Sequence, residues 1–352
     1  MSVRFHNVTK RFTLAGTPAV SDVSFEAPRG AVTAILGPSG AGKSTVLRLA
    51  AGLEFSDSGS ISIEGADCSE VPIQKRGIGL VFQNYALFRH MTVRENIAFG
   101  LKVRRTPRRD VADRVTELLG VVQLEGLGDR YPAQLSGGQQ QRVAFARALA
   151  VQPKVLLLDE PFGALDVRVR RELREWLDQF HAETGVTTLL VTHDQSDALE
   201  LAEHVVVMFD GRVAQAGPPH EIYDHPETPL VASFVGGANL LTARVRSGSV
   251  RLDSISVPAP AAEEGELVQV FVRPHDVELR RASPESPDVS LALVERLKRI
   301  GGYVRVSLLL RGGENLTVES SMRDFELLAV GPGDRVLVDL KAAKLFALER
   351  PH

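Results

Sequence analysis

The run Gly37-Pro38-Ser39-Gly40-Ala41-Gly42-Lys43-Ser44-Thr45 constrains this chain more than any other stretch. It follows the apolar segment Ala31–Leu36 and leads into a helical pattern carrying Val46, Leu47 and Leu49. A Gly-x-x-x-x-Gly-Lys-Ser spacing between a buried strand and a helix start reads as a phosphate loop. Glycines let successive backbone N–H groups turn toward an anion, and the start of a helix adds positive potential. Lys43 then reaches the β- and γ-oxygens of a nucleotide, and Ser44 offers an oxygen to a divalent cation. ATP and Mg²⁺ are the implied ligands, with Gly37 to Thr45 as the contacts.

A second apolar run, Val155–Leu158, ends in Asp159-Glu160. Two carboxylates closing a buried strand are costly unless a cation and water meet them there. Asp159 is therefore assigned to the metal beside Ser44, and Glu160 to accepting a proton from, or orienting, an attacking water. Kinases, GTPases and helicases share these two features, so they fix the ligand and leave the function open.

The segment Leu135-Ser136-Gly137-Gly138-Gln139 narrows it, lying just before a helical pattern that runs to about Ala150. The Ser136 hydroxyl, the open N–H groups of two glycines and the helix dipole all suit an anion. With it the chain resembles the ABC (ATP-binding cassette) family, in which this segment caps the γ-phosphate held by the opposite subunit. The resemblance is strong over residues 3 to 237 and weaker beyond. It implies roles for residues that carry no signal alone. Gln83 is similar to the family's glutamine that senses the metal and the attacking water. His193 is similar to its switch histidine on the γ-phosphate. Asp166 matches a loop that crosses the dimer interface. Phe12 stands where the family commonly places an aromatic ring against adenine, and stacking needs only the ring face.

The expected fold is α/β. A phosphate-loop cassette spans residues 1–237, with an antiparallel outer sheet (Val3–Val8, Val23–Glu26, Ser60–Glu64) and a helical insert at about 84–150. Buried strands are expected at Gly79–Phe82, Thr187–Thr192 and His204–Phe209, and Val111, Val115, Leu118 and Leu119 are spaced for one helix face. After Asp224–Pro229 and Gly236-Gly237 the texture changes to short alternating strands, giving a small all-β, barrel-like domain over 238–352 of OB-like or TOBE-like type. A net charge of −3 argues against a nucleic-acid partner. No apolar run approaches the ~20 residues of a spanning helix, and Met1 opens no signal peptide. The chain is expected to be soluble by itself and to reach a membrane through partners. Cys68 and Trp176 read as packing, and Arg104-Arg105-Thr106-Pro107-Arg108-Arg109 as a solvated loop.

Within the family, the chain is similar to importer ATPases with a C-terminal regulatory β domain. Gln83–Arg104, Arg171–His193, Gly217–Pro226 and Val272–Asp276 resemble those of bacterial sulfate/thiosulfate importers. This resemblance implies a second copy of the chain as head-to-tail partner and a transmembrane permease docked at Gln83–Thr92 through Tyr85, Leu87, Phe88 and Met91, for some of which a core role stays open. It also implies an extracellular solute-binding protein as indirect partner, and a peripheral place on the cytoplasmic face of the membrane. Ser196-Asp197 departs from a usual pair of glutamates, and Val235–Asn239 from the usual junction. An importer for molybdate, iron, a polyamine or a sugar stays open. A soluble ABC ATPase of DNA repair or translation fits less well, since only about ninety residues separate phosphate loop from Leu135 and the chain holds one cassette. An oligonucleotide-binding C-terminal barrel lacks the stacking aromatics and basic groove.

Overall fold

The computed structural model describes residues 2–13, 16–163, 165–252, 255–259, 262–282 and 291–347. Contacts divide the chain into two compact units, Met1–His225 and Pro226–His352. The first contains strands β1 (Val3–Lys10), β2 (Val20–Ala27), β3 (Val32–Leu36), β4 (Ser58–Ile63), β5 (Ala66–Asp67), β6 (Ile78–Val81), β7 (Val155–Asp159), β8 (Thr187–Thr192), β9 (His204–Phe209) and β10 (Arg212–Gly217). Its helices are α1 (Lys43–Ala51), α2 (Val93–Val103), α3 (Arg108–Val121), α4 (Gly137–Ala150), α5 (Val167–Thr184), α6 (Gln195–Leu201) and α7 (Pro219–Asp224).

The six-stranded sheet runs β10-β9-β3-β8-β7-β6, parallel except for β10. β3 and β8 are buried along their whole length, as continuous apolar runs must be in a parallel sheet covered by helices. Register decides what this sheet can hold. Leu36 pairs with Thr192, Asp159 with Val191, and Val81 with Leu158. The C-terminal ends of β3, β8, β7 and β6 are therefore level. Gly37, His193, Glu160 and Gln83 all leave from one edge, the edge where parallel sheets place their ligands.

The antiparallel sheet, β2-β1-β4-β5, buries alternate residues, with Phe5 stacked on Phe25 at 4.7 Å. Between β6 and β7 stand α2, α3 and α4. In α3 the buried stripe is Val111, Val115, Leu118 and Leu119, as its spacing demands. Trp176 on α5 packs edge-on to Phe145 at 5.2 Å and donates its indole N–H to Val121 O at 3.0 Å. It is a core residue that joins α5 to the helical insert. Cys68 is buried.

The second unit holds two five-stranded antiparallel sheets around one core that includes Val270, Val306 and Leu308. Their orders are Ile255–Pro258, Ser249–Leu252, Asn239–Arg246, Leu267–Val272, Lys344–Ala347, and Val277–Arg281, Arg335–Leu340, Leu291–Ile300, Tyr303–Leu309, Asn315–Ser321. This unit begins ahead of the boundary at 237 read from the glycines. The helix Pro229–Phe234 belongs to it because Ala232 packs with Phe271 and Phe346.

Candidate active site

The turn from β3 into α1 is shaped by close approach. A Cβ at Gly37 would stand 2.3 Å from Met208 O, and one at Gly42 2.5 Å from Ala19 O. Gly42 also holds φ +93°, a conformation that side chains resist. The loop wraps a cavity of about 300 Å³ lined by Ala19, Ser39, Gly40, Gly42, Lys43, Ser44, Thr45 and Glu160. Lys43 is only 5 % exposed and donates from Nζ to Gly37 O and Pro38 O, each at 2.8 Å. Burial lowers its pKa against the opposing pull of Glu160 and Asp159. A further anion at this point would favour the ammonium form.

Ser44 Oγ donates to Asp159 Oδ1 at 3.2 Å. Burial raises the pKa of Asp159, a cost that a cation beside both oxygens would offset. Among the described residues no group of three or more His, Cys, Asp or Glu stands ready for a metal. The Ser44 and Asp159 oxygens fit a hard cation that draws its other ligands from water and phosphate, as Mg²⁺ does.

Glu160 is the centre of the site. Gln83 Nε2 donates to its Oε2 at 2.9 Å, and His193 Nδ1 lies 3.3 Å from its Oε1. Three residues separated by long stretches of sequence meet because β6, β7 and β8 end together. Glu160 has φ 44°, in the left-handed region. Its N–H donates to Val191 O at 2.9 Å, which fastens the strained turn to β8.

Behind His193 lies a polar cluster that sequence reasoning missed. Thr192 Oγ1 donates to Asp197 Oδ2 at 3.2 Å and accepts from Asp194 N at 3.0 Å. Arg170 on α5 pairs with Asp194 at 2.7 Å, and Arg174 lies 3.6 Å from Asp197. Asp197 is 2 % exposed, and burial together with the nearby Asp194 pushes its pKa up to about 6, against the pull of Arg174. The folded chain thus binds a proton more tightly than the unfolded one, so this group's contribution to stability falls as pH rises from about 4 to about 6. Asp197→Asn removes that titration. The melting temperature of the variant relative to the parent should climb between pH 4 and pH 7, by the equivalent of roughly 2 kcal/mol. A difference that stays flat with pH would contradict the assignment.

Ser136, Gly137, Gly138 and Gln139 do not join the network around Glu160. Ser136 caps α4, its Oγ accepting from Gln139 N at 3.3 Å while Gln139 Oε1 accepts from Ser136 N at 3.0 Å. Ser136 and Gly137 are exposed. Asp166 caps α5, accepting from Arg168 N and Val169 N at 3.1 and 3.0 Å. Phe12 is 56 % exposed after β1, with Lys10 Nζ 5.7 Å from its ring centre. One side chain set is assembled and another is left open. Ala19, whose backbone oxygen crowds Gly42, gave no sequence signal.

The segment after Gln83 is braced rather than loose. Arg147 on α4 donates to Ala86 O at 2.7 Å and Tyr85 O at 2.9 Å, and its guanidinium lies 5.5 Å from the Phe88 ring centre. Asn96, wholly buried, accepts from Phe88 N at 2.9 Å and donates to Met91 O at 3.1 Å. Tyr85, Leu87, Phe88 and Met91 are half-buried, while Phe82 is exposed.

A family model described as ABC transporter matches residues 20–163, and one described as CysA C-terminal regulatory domain matches residues 239–279. The chain is 49% identical over 350 residues to a sulfate/thiosulfate import ATP-binding protein, CysA, of Thermosynechococcus vestitus, covering 99% of each chain. It is 50% identical over 348 residues to the protein of that name from Gloeobacter violaceus, covering 98% of this chain and 96% of that one. Among solved structures it resembles the dimeric ATP-binding cassette MJ0796 bound to ADP and Pi, with TM-score 0.55 and 32% identity over 62% of this chain and 98% of that one. It also resembles cbiO1 of Clostridium perfringens, part of the ABC transporter complex cbiONQ, with TM-score 0.59 and 33% identity over 64% of this chain and 91% of that one.

Proposed function

From the premise that this chain belongs to the ABC transporter ATPase family, we propose that it powers the import of sulfate or thiosulfate through a membrane permease. The observation that carries the ATPase reading is the grouping of Lys43, Ser44, Asp159, Gln83 and His193 about Glu160, with Ser136 and Gly137 exposed and apart from it. This is half of a site. A second copy, related by a two-fold axis, would bring its own Ser136, Gly137, Gly138 and Gln139 over the bound nucleotide, with Asp166 at the seam. The dimeric form of the similar cassette supports that reading.

In the reaction Lys43 would exchange its two carbonyl partners for phosphate oxygens, and the loop N–H groups from Ser39 to Thr45 would surround the phosphates. Phe12 would lie against adenine. Mg²⁺, held by Ser44 and Asp159 with Gln83 beside it, would neutralise charge on the phosphates. Glu160 would take a proton from the attacking water while Gln83 and His193 fix the direction of its carboxylate. Attack is in line, without a covalent intermediate, and positioning and charge supply the catalysis.

No helix among the described residues is long and apolar enough to cross a membrane. By its likeness to import ATP-binding proteins the chain would act as a peripheral subunit on the cytoplasmic face, the braced segment from Gln83 to Thr92 receiving the permease. An extracellular binding protein would deliver the solute, which this chain need not touch. The solute rests on likeness over nearly the whole length to sulfate/thiosulfate import ATPases. Reconstitution with permease and binding protein in liposomes tests it. Sulfate is expected to raise ATP hydrolysis while molybdate and maltose do not. A flat response to sulfate would overturn the solute and leave the ATPase standing.

A further inference from the structure

We propose that Gln141 is a positioning residue for Glu160, an inference that rests on the reading of Glu160 as the group that activates water. Glu160 occupies φ 44° without being glycine or asparagine, so its surroundings must hold it there. Its own N–H and C=O are fixed by Val191 O at 2.9 Å and Gly163 N at 3.2 Å. The next residue, Pro161, has no N–H, which leaves its carbonyl as its own single backbone group for a hydrogen bond. That carbonyl accepts a hydrogen bond from Gln141 Nε2 on α4.

The state of Gln141 argues for a purpose other than stability. The side chain is 0 % exposed, and among the described residues its Oε1 has no hydrogen-bond partner. A buried amide with one end unsatisfied is a poor core residue. An apolar side chain of the same length would fill the space without that desolvation cost. What the amide alone supplies is the bond to Pro161, next in sequence to Glu160.

The bond also ties Glu160 to α4 as a body. A Cβ at Gly138 would stand 2.5 Å from Val169 Cγ1, and one at Gly137 3.5 Å from Leu165 Cδ2. The chain after Glu160 thus lies along the first turns of α4, touching it at Pro161, Leu165 and Val169. A displacement of α4 reaches Glu160 through Gln141, and with it the aim of the carboxylate between Gln83 and His193.

Gln141→Met keeps length and apolar volume and removes the donor. The expected result is a fall in kcat of about 10- to 100-fold, the scale for slight misplacement of a reacting group, with ATP affinity and melting temperature unchanged. Gln141→Glu can donate only when its carboxyl is protonated, so the ratio of its turnover to the parent's should rise as pH falls. Unchanged kcat in the Met variant would overturn the inference. So would a fall in ATP affinity or melting temperature that matches the fall in kcat, a Met variant too unstable to assay, or a pH-independent ratio in the Glu variant. Glu160→Gln separates the two levels. If that variant keeps its turnover, the reading of Glu160 fails; if it is dead and Gln141→Met is fully active, only the positioning inference fails.

Discussion

Glu160→Gln is expected to lower steady-state ATP hydrolysis about 100- to 10,000-fold, the range for removal of a general base, while ATP affinity stays close to the parent's. The amide has the size of the carboxylate and can still accept from Gln83 Nε2, which now lies 2.9 Å from Oε2. It cannot take a proton from water at neutral pH. Lys43, Ser44 and the loop are untouched, so nucleotide should bind and the closed dimer should accumulate because its exit by hydrolysis is blocked. Size-exclusion chromatography with and without ATP reads the dimer, and phosphate release reads the chemistry. Turnover near the parent's level would remove Glu160 from its assigned role.

Lys43→Ala and Gly137→Asp should each abolish turnover, for opposite reasons. The first deletes a buried ammonium that would make charge-assisted bonds to phosphate, and is expected to weaken ATP binding about 10- to 100-fold. It also strips Gly37 O and Pro38 O of the donor they share. Gly137→Asp leaves the chain's own nucleotide cavity alone. Among the described residues a Cβ at Gly137 meets nothing closer than Leu165 Cδ2 at 3.5 Å, and a carboxylate in the first turn suits the dipole of α4, so the fold should tolerate it. That carboxylate would stand where a partner's γ-phosphate is proposed to dock. ATP affinity of the isolated chain should therefore be normal while ATP no longer yields a dimer or hydrolysis. Isothermal titration with each variant distinguishes the two failures.

The phosphate loop and the carboxylate pair were legible because each is local: a fixed spacing beside a continuous apolar strand. The strands Thr187–Thr192 and His204–Phe209 carry the bounds that their apolar runs imply. Gln83 and His193 were reached through resemblance, since one glutamine and one histidine carry no pattern. Only the register of β6, β7 and β8 shows that both close on Glu160. The cluster of Thr192, Asp194, Asp197, Arg170 and Arg174 stayed hidden because its members come from α5, β8 and the start of α6, and charges on a helix read as a solvated face. Gln141 was hidden for another reason. It lies within a run of three glutamines, and the buried one is distinguished by helix rotation alone. The bracing of the segment at Tyr85, Phe88 and Met91 depends on Arg147 and Asn96, which are distant from them in sequence or sit on the following helix.

The central claim is that one chain holds two halves of different sites, which only a second copy completes. Mixing Lys43→Ala chains with Gly137→Asp chains tests it most directly. In a mixed dimer one site joins the defective loop to the defective Gly137 segment, and the other joins an intact loop to an intact segment. Each variant alone should be inactive, and the mixture should regain ATP hydrolysis in proportion to the mixed dimers formed. A mixture that stays inactive although mixed dimers are present and bind ATP would contradict the account, since it would mean that each chain completes its own site.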